Sequence, residues 1–298
     1  GEKRYMKYVT LVLGIFLLSV ITYCNFTDTN LFDKREEIVL KENEYYLDRD
    51  FEFVQNYDDE VHNYTELLNY IYHVVNTGSK EGTGYCVREY KNCAKDLEEI
   101  GNNKELLSTI NNFVHPYNSF SSIIFTYNTK GEFDIKVNKI YSEENIVKIN
   151  EVVDRVIKEN IVDTMTTTQK LKIIHDYIID NTKYDTLKSK NINDMTYKSN
   201  TAIGVLLEGY GICSGYSDAM GIFLDKLGID NYKISNDTHI WNLVKVNNKW
   251  LHIDLTWDDP IYEQNLNRDT YFLITTAELE KLNDNTHSFN KTVFKEAA

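Results

Sequence analysis

Hydrophobic residues recur every three or four positions in several parts of the chain, a pattern that predicts helices. These apolar stripes occupy 64–75, 146–157 and 171–178. His175 lies inside the last stripe, so we expect it to be a hydrogen-bonded histidine of the core. Segments 122–126 and 132–137 flank a Gly-containing loop and predict a β-hairpin.

A further helix is predicted to begin at Cys213. A Gly-rich turn at 209–211 precedes this cysteine, and Gly228 is a typical helix stop. Between them runs an apolar stripe made of Tyr216, Met220, Phe223 and Leu227. The pattern therefore places the thiol of Cys213 at the N-terminus of a buried helix.

Two segments, 239–246 and 249–255, alternate between apolar and other residues on either side of Asn247-Asn248. Asn-Asn is a fair two-residue hairpin turn, so the residues that flank it should face each other. In this register one face of the hairpin is mainly apolar and belongs on the core.

The other face of the predicted hairpin carries the polar residues of interest. Asp254 lies opposite Trp241 and diagonal to His239, about 7–8 Å away between Cα atoms, within reach of an imidazole–carboxylate hydrogen bond. A slip by one residue would bury the polar set. The hydrophobic pattern thus favours the register that joins His239 to Asp254.

Cys213, His239 and Asp254 together have the chemistry of a nucleophile, a base and an orienting acid. The reactive form of cysteine is the thiolate, which a helix N-terminus and a nearby imidazole stabilise. We therefore expect a lowered thiol pKa. The backbone N–H of Cys213 could help to stabilise an oxyanion.

Each of these residues also has an ordinary interpretation. A cysteine at a helix start is usually a small buried residue, and a histidine and an aspartate on one strand face are usually surface groups. His252 shares the face and is the rival base. The segment Asp258-Asp259-Pro260 is typical of a turn, although its acidic pair could border a substrate cleft.

The first residues contain an uncharged apolar run at 8–24, preceded by Lys3, Arg4 and Lys7. The run predicts an uncleaved membrane anchor, with the rest of the chain outside the cytoplasm. A cleaved signal followed by secretion, or a buried helix, are the alternatives. In that compartment Cys86 and Cys93 could form a disulfide, provided that the stretch between them is irregular.

Composition limits the class of protein. The chain has 298 residues and a net charge of −14, which disfavours nucleic-acid binding. No cluster of histidine and cysteine has the spacing of a metal site, and we expect no cofactor. We predict a membrane anchor or signal at 1–30, an accessory region at 31–140 and a catalytic core at 141–298.

Several segments together resemble the transglutaminase-like superfamily of papain-type cysteine enzymes. The most specific are GYGICSGYSDAMGIFLDKLGI at 209–229 and THIWNLVKVNNKWLHIDLTWDDP at 238–260. LKIIHDYIIDNTKYD at 171–185 and TYFLITTAELEKL at 270–282 extend the resemblance. It covers roughly 143–287, about half of the chain.

The resemblance implies an α+β fold, in which the nucleophile helix packs on an antiparallel sheet, with an N-terminal α/β region before it. Residue by residue, it implies Cys213 as nucleophile, His239 as base and Asp254 as orienting acid. It also implies thioester chemistry on amides, as in a transglutaminase, a deamidase or a peptidase.

The sequence thus predicts a bacterial, membrane-anchored, extracellular cysteine enzyme that acts on a protein or peptide substrate of the cell envelope. The aromatic residues expected to wall its cleft are Trp241, Trp250, Trp257 and Tyr216. Transfer and hydrolysis both remain open. The alternative function is a non-catalytic envelope module that binds a protein or peptide on the same fold.

Overall fold

The computed structural model describes residues 39–49, 58–259 and 267–297. Within this part the chain forms two compact units, which meet in sequence between Tyr141 and Ser142. The apolar run at 8–24 lies outside the described residues. None of the helices that the structure describes has the length and apolarity needed to cross a membrane.

The N-terminal unit combines helices with a four-stranded sheet. Its elements are β1 (Glu60–Val61), α1 (Tyr64–Asn76), β2 (Glu81–Cys86), α2 (Cys93–Asn102), α3 (Lys104–Phe113), β3 (Phe120–Tyr127) and β4 (Glu132–Lys139). The strand order in the sheet is β1-β2-β4-β3. β1 pairs parallel with β2, and the other pairs are antiparallel. The predicted helix and hairpin are confirmed as α1, β3 and β4.

Cys86 and Cys93 are joined by a disulfide in this unit. Cys86 ends β2 and Cys93 begins α2, so the residues between them are irregular. Their Cα atoms are 6.2 Å apart, whereas two helical turns would separate them by about 10 Å. The bond therefore depends on the turn that links the strand to the helix.

The C-terminal unit combines helices with a four-stranded antiparallel sheet and a small pair of parallel strands. Its helices are α4 (Glu143–Asn160), α5 (Thr167–Asn181), α6 (Thr186–Lys190), α7 (Cys213–Lys226), α8 (Leu255–Asp258) and α9 (Thr276–Leu282). Its strands are β5 (Lys183–Tyr184), β6 (Tyr210–Gly211), β7 (Asn231–Ser235), β8 (Ile240–Val246), β9 (Lys249–Ile253) and β10 (Phe272–Ile274). The order in the four-stranded sheet is β10-β9-β8-β7, and β5 pairs with β6.

Side-chain caps define where the predicted helices of this unit begin. Ser142 caps α4 by accepting from the backbone N–H of Asn145, and Thr166 forms a capping box with Gln169 at the start of α5. His175 within α5 is fully buried and contacts a buried carboxylate through Nε2. The prediction of a hydrogen-bonded core histidine is confirmed.

The β8–β9 hairpin has the predicted register. Val246 pairs with Lys249 and Asn242 with Ile253. Asn247 and Asn248 have φ values of 51° and 61°, as a tight turn between twisted strands requires.

One expectation about this hairpin was wrong. The second strand ends at Ile253 instead of residue 255, because Asp254 turns the chain and caps α8. The face of Trp241 and His252 is buried, because Phe289 of the C-terminal segment packs on both rings. Both faces of the hairpin therefore belong to the interior.

α7 packs on β7 and β8 through polar as well as apolar contacts. Nζ of Lys233 lies 2.5 Å from Oδ1 of Asp218, and both side chains are buried. The amide of Asn242 donates to the backbone oxygen of Ser217 at 3.0 Å. These pairs satisfy the buried polar groups and fix the helix on the sheet.

Gly215, in the first turn of α7, allows a close approach between this helix and the preceding segment. A Cβ atom there would lie 2.2 Å from the backbone oxygen of Ser199 and 2.9 Å from that of Thr201. The backbone N–H of Ile212 donates to the same oxygen of Ser199 at 2.8 Å. The start of α7 is thus held against residues 199–201.

We expect Gly215→Ala to lower the free energy of unfolding by about 3 kcal/mol, because the new methyl group meets backbone that cannot rotate away. Gly228→Ala is the control, since a Cβ there has nothing within 4 Å and would meet strain from its φ of +66°, worth about 1 kcal/mol. Urea unfolding followed by tryptophan fluorescence measures both. A Gly215 variant as stable as the Gly228 variant would contradict this account.

Candidate active site

Cys213 is the first residue of α7 and is 2% exposed. The preceding Ile212 is extended, with φ −117° and ψ 177°, so the chain enters the helix at the cysteine. The hydroxyl of Ser217 lies 2.8 Å from the backbone oxygen of Cys213 and 3.1 Å from that of Ile240. Ser217 therefore ties the first turn of α7 to the residue that follows His239.

His239 lies just before β8 and is completely buried. Its Nε2 donates to Oδ2 of Asp254 at 2.5 Å, and its ring stacks on that of Trp241. Nδ1, the other ring nitrogen, is buried and has no hydrogen-bond partner among the described residues. A carboxylate accepts, so Nε2 carries the proton and Nδ1 presents a lone pair.

Asp254 accepts four hydrogen bonds from other described residues. Oδ1 takes the backbone N–H groups of Thr256 at 2.9 Å and Trp257 at 3.3 Å, which caps α8. Oδ2 takes Nε2 of His239 and, at 2.7 Å, Nε2 of His287. Burial opposes the charge of Asp254, but the two histidines outweigh burial and hold its pKa below the usual range.

His287 also lies in the site, and it is not among the residues predicted from the sequence. Its Nδ1 lies 2.8 Å from Oδ2 of Asp284, which also accepts the hydroxyl of Tyr271 at 2.8 Å. The rings of Tyr271 and His287 stack with centroids 4.8 Å apart. The Asp-x-x-His spacing of Asp284 and His287 is the local signal that could have identified the pair.

The thiol is neutral in this geometry, which corrects the expected lowering of its pKa. Burial, followed by the charge of Asp254, raises the pKa of Cys213 to about 12. Backbone N–H groups of Ile240, Ser214 and Cys213 itself oppose this rise but do not outweigh it. Burial also lowers the pKa of His239. The resting pair is therefore thiol and neutral imidazole.

The four predicted cleft residues lie in different places. Trp257 is partly exposed, and its ring lies 6.4 Å from that of His239 and 5.5 Å from that of His287. Trp241 is buried beside His239. Trp250 packs on Tyr232 and pairs with Lys245, four residues along β8 from Trp241 and thus roughly 13 Å away.

The fourth cleft candidate, Tyr216, is buried, and its hydroxyl contacts the carboxylate of Asp259. Asp258 accepts from Nε2 of His175 at 3.0 Å and from the backbone N–H of Tyr271 at 2.9 Å. Burial raises the pKa of Asp258 to about 6. Both acidic residues are therefore anchors within the interior.

The rival base His252 is bonded through both ring nitrogens. Nδ1 accepts from the indole N–H of Trp241 at 3.0 Å, and Nε2 lies 2.9 Å from the hydroxyl of Thr276.

Tyr184 lies near the thiol of Cys213 and was not predicted from the sequence. Burial and then the neighbouring Cys213 raise the pKa of this tyrosine.

Among the described residues, two clusters have donor atoms close enough together for a metal ion. The donors of His239, Asp254 and His287 lie within 4.8 Å of one another, but they are already joined by direct hydrogen bonds of 2.5 and 2.7 Å. In the cluster of His175, Asp176 and Asp269, Nζ of Lys172 contacts both carboxylates, at 2.6 and 2.8 Å. The ammonium group of Lys172 thus lies where a metal ion would bind.

Residues 155–255, which include Cys213, His239 and Asp254, match the model of the transglutaminase-like superfamily. This region belongs to that superfamily. Transglutaminase-like proteins are typically cysteine enzymes. The match identifies the family of residues 155–255 and does not identify the reaction of this chain.

The transglutaminase-like core is also similar to solved structures. A crystal structure of a TGase covers 50% of this chain and 47% of its own, with 16% identity and a TM-score of 0.36. A candidate cysteine protease of Cytophaga hutchinsonii covers 44% and 55%, with 13% identity and a TM-score of 0.28. The chain thus spans about half the length of each. No curated protein matches it.

The position of His287 in this transglutaminase-like core predicts a pH dependence of stability. Burial lowers its pKa, but Asp254 and Asp284 outweigh burial and raise it to about 8. An unfolded histidine titrates near 6.5. The stabilisation is therefore fully present below about pH 6.5 and is lost as the pH rises through 8, about 2 kcal/mol in all.

We expect His287→Gln to abolish the decrease in the free energy of unfolding that the wild type shows between pH 6.5 and 8. All three tryptophans lie at 241–257, so their fluorescence during urea unfolding follows the C-terminal unit. His252→Gln is the control, because burial lowers the pKa of His252 to about 3 and its contribution changes below pH 6.5. Equal slopes in the wild type and His287→Gln between pH 6.5 and 8 would contradict the assignment.

Proposed function

We propose that this protein is a cysteine enzyme that acts on protein or peptide amides through a thioester on Cys213. The observation that carries the proposal is the orientation of His239. Asp254 holds Nε2, while the buried Nδ1 has no partner among the described residues. The backbone N–H of Ile240, next to His239 in the chain, faces the thiol of Cys213.

In the proposed reaction the thiol of Cys213 gives its proton to Nδ1 of His239. The sulfur then forms a bond to the amide carbonyl carbon, and the carbonyl oxygen becomes an oxyanion. The carbon–nitrogen bond breaks as His239 returns the proton to the leaving nitrogen, which departs as ammonia or an amine. Water or a primary amine then attacks the thioester and releases Cys213.

Two donors support the oxyanion in this proposal. The backbone N–H of Cys213 stands at the open end of α7, where N–H groups lack partners within the helix. The hydroxyl of Tyr184 is the side-chain candidate, because Tyr184 is close enough to Cys213 for the thiol to raise its pKa. Both donors would stabilise charge that develops only in the transition state.

Burial determines when the thiol ionises. Since burial keeps Cys213 neutral, the proton transfer to His239 has to accompany the attack of the sulfur on its electrophile, whether that is a substrate amide or an alkylating reagent. Asp254 then lies against an imidazolium and compensates its charge. The same burial limits the access of water, which favours transfer to an amine, although hydrolysis uses the same residues.

The proposed substrate is a protein or peptide of the cell envelope, met outside the cytoplasm. The disulfide between Cys86 and Cys93 supports an oxidising compartment. The net charge of −14 would repel anionic envelope polymers and favours a protein or peptide partner. The run at 8–24 would anchor the chain to the membrane.

A non-catalytic binding module is the second candidate function. The observation that favours it is the enclosure of Cys213, which is 2% exposed and has a raised pKa. A thiol in this state is a poor nucleophile unless a bound substrate or His239 changes its protonation. The two functions therefore differ in whether bound peptide is turned over.

We expect the full chain to release ammonia from glutamine peptides, or to couple a labelled primary amine to them. Cys213→Ala should abolish both products, and His239→Ala should lower the rate at least about a hundredfold, as for loss of a general base. Mass spectrometry measures the products and the thioester adduct. His252→Gln is the matched control, because it removes a neighbouring histidine whose ring nitrogens bond to Trp241 and Thr276.

Three outcomes would contradict parts of this proposal. Turnover that survives Cys213→Ala would exclude the thioester. Cleaved peptide without an amine product would exclude transfer and leave hydrolysis. Peptide binding without turnover, unaffected by Cys213→Ala, would support the binding module instead.

The reactivity of the thiol gives a substrate-free prediction. Because burial by itself keeps Cys213 neutral, its alkylation near neutral pH has to proceed through His239. We expect His239→Ala to slow that alkylation at least about tenfold between pH 6 and 8, measured on the Cys213 peptide by mass spectrometry. Equal rates in the two proteins would mean that His239 does not act on the thiol.

A further inference from the structure

His287 occupies a place in the candidate site that the thioester chemistry does not use. Its Nε2 lies 2.7 Å from Oδ2 of Asp254, the oxygen that Nε2 of His239 contacts at 2.5 Å. The two imidazole rings meet edge to face, with centroids 5.1 Å apart. One carboxylate oxygen thus joins the candidate base to a second buried histidine.

The contacts of His287 define its charge. Nδ1 lies 2.8 Å from Oδ2 of Asp284 and 3.1 Å from the hydroxyl of Thr286. Asp284 is surrounded by donors, since it also accepts the hydroxyl of Tyr271 and the backbone N–H of Thr286. Ionised carboxylates only accept hydrogen bonds, so both ring nitrogens of His287 have to carry protons. The ring is therefore an imidazolium.

We propose that His287 is a positioning residue, which holds a positive charge against Asp254 and keeps His239 neutral and able to accept a proton. The inference rests on the function proposed above, because it needs His239 to act as the base for Cys213. A buried carboxylate favours the protonated form of a histidine bonded to it. A second cation on the same oxygen opposes that effect, since like charges a few ångströms apart repel.

The titratable groups that face His287 come from several elements. They are Asp254 after β9, Asp284 after α9, Tyr271 before β10, His239 before β8 and His252 within β9. Burial and then the charge of His287 lower the pKa of His252 to about 3. For His239, burial and the charge of His287 together outweigh Asp254 and Asp284 and lower the pKa.

The test is a titration of the histidine rings by nitrogen-15 NMR on the full chain, with each ring assigned from its own substitution. In the wild type we expect His287 to be doubly protonated at pH 7 and to lose a proton near pH 8. His287→Gln keeps an N–H donor for Asp254 and removes the charge. The pKa of His239 should then rise by roughly one unit.

Two further variants separate the charge from the packing. His252→Gln removes a buried neutral histidine of the same hairpin and should leave the titration of His239 in place. Asp284→Asn keeps an acceptor for Nδ1 of His287 and removes one of its two counter-charges. In Asp284→Asn the His287 ring should lose its proton at a lower pH than in the wild type, even if His287→Gln does not fold.

A His287 ring that is neutral at pH 7, or an unchanged titration of His239 in folded His287→Gln, would overturn the proposal. Alkylation of Cys213 against pH, measured in parallel, reports separately on the proposed function. Loss of the nearby His287 cation should raise the pKa of both the Cys213 thiol and the His239 imidazole. The plot of alkylation rate against pH should therefore move to higher pH in His287→Gln. If Cys213 is unreactive throughout while the pKa of His239 still rises, the electrostatic role stands and the thioester chemistry fails.

Discussion

The structure of the C-terminal unit depends on one buried negative charge, that of Asp254. Its carboxylate ends β9, caps α8 through two backbone N–H groups and receives two histidines that approach from different parts of the chain. A buried carboxylate without these four donors would carry a large desolvation penalty. The hairpin, the short helix and the C-terminal segment therefore have to be in place together, because each supplies part of what keeps Asp254 ionised.

Enclosure of the site has an electrostatic consequence for the thiol. Phe289 and His287 cover the face of the hairpin that carries Trp241, which removes water from the surroundings of His239, and Cys213 is itself buried. In such surroundings a separated thiolate is disfavoured, and the N-terminus of α7 does not compensate. The same dry surroundings strengthen any interaction with charge that develops during a reaction. The enclosure of the site therefore explains two properties. Cys213 and His239 are neutral at rest, and charge that develops on a bound substrate interacts strongly with the site.

The register of the hairpin could be predicted from the sequence because side chains in a strand alternate with a period of two and Asn247-Asn248 fixes the turn. The helix start at Cys213 could likewise be predicted from nearby residues, because glycines precede it and an apolar stripe follows it. The place of His287 could not be predicted in this way. It depends on the return of the chain after α9 to Asp254, a contact between residues 33 positions apart. The raised thiol pKa was missed for the same reason, since burial comes from segments distant in sequence.

The contacts of Asp254 explain why two histidines are compatible with one carboxylate. If His239 were its sole histidine, Asp254 would stabilise the protonated ring, and a base that is already protonated cannot take the thiol proton. The positive charge of His287 on the same oxygen weakens the stabilisation that Asp254 gives to protonated His239. His239 therefore stays neutral and keeps a lone pair on Nδ1. When the proton moves from Cys213 to His239, the total charge of the buried set stays the same, and only its position changes. Asp284 matters here through His287, because it shares the charge of that ring and lets the ring stay protonated in the interior.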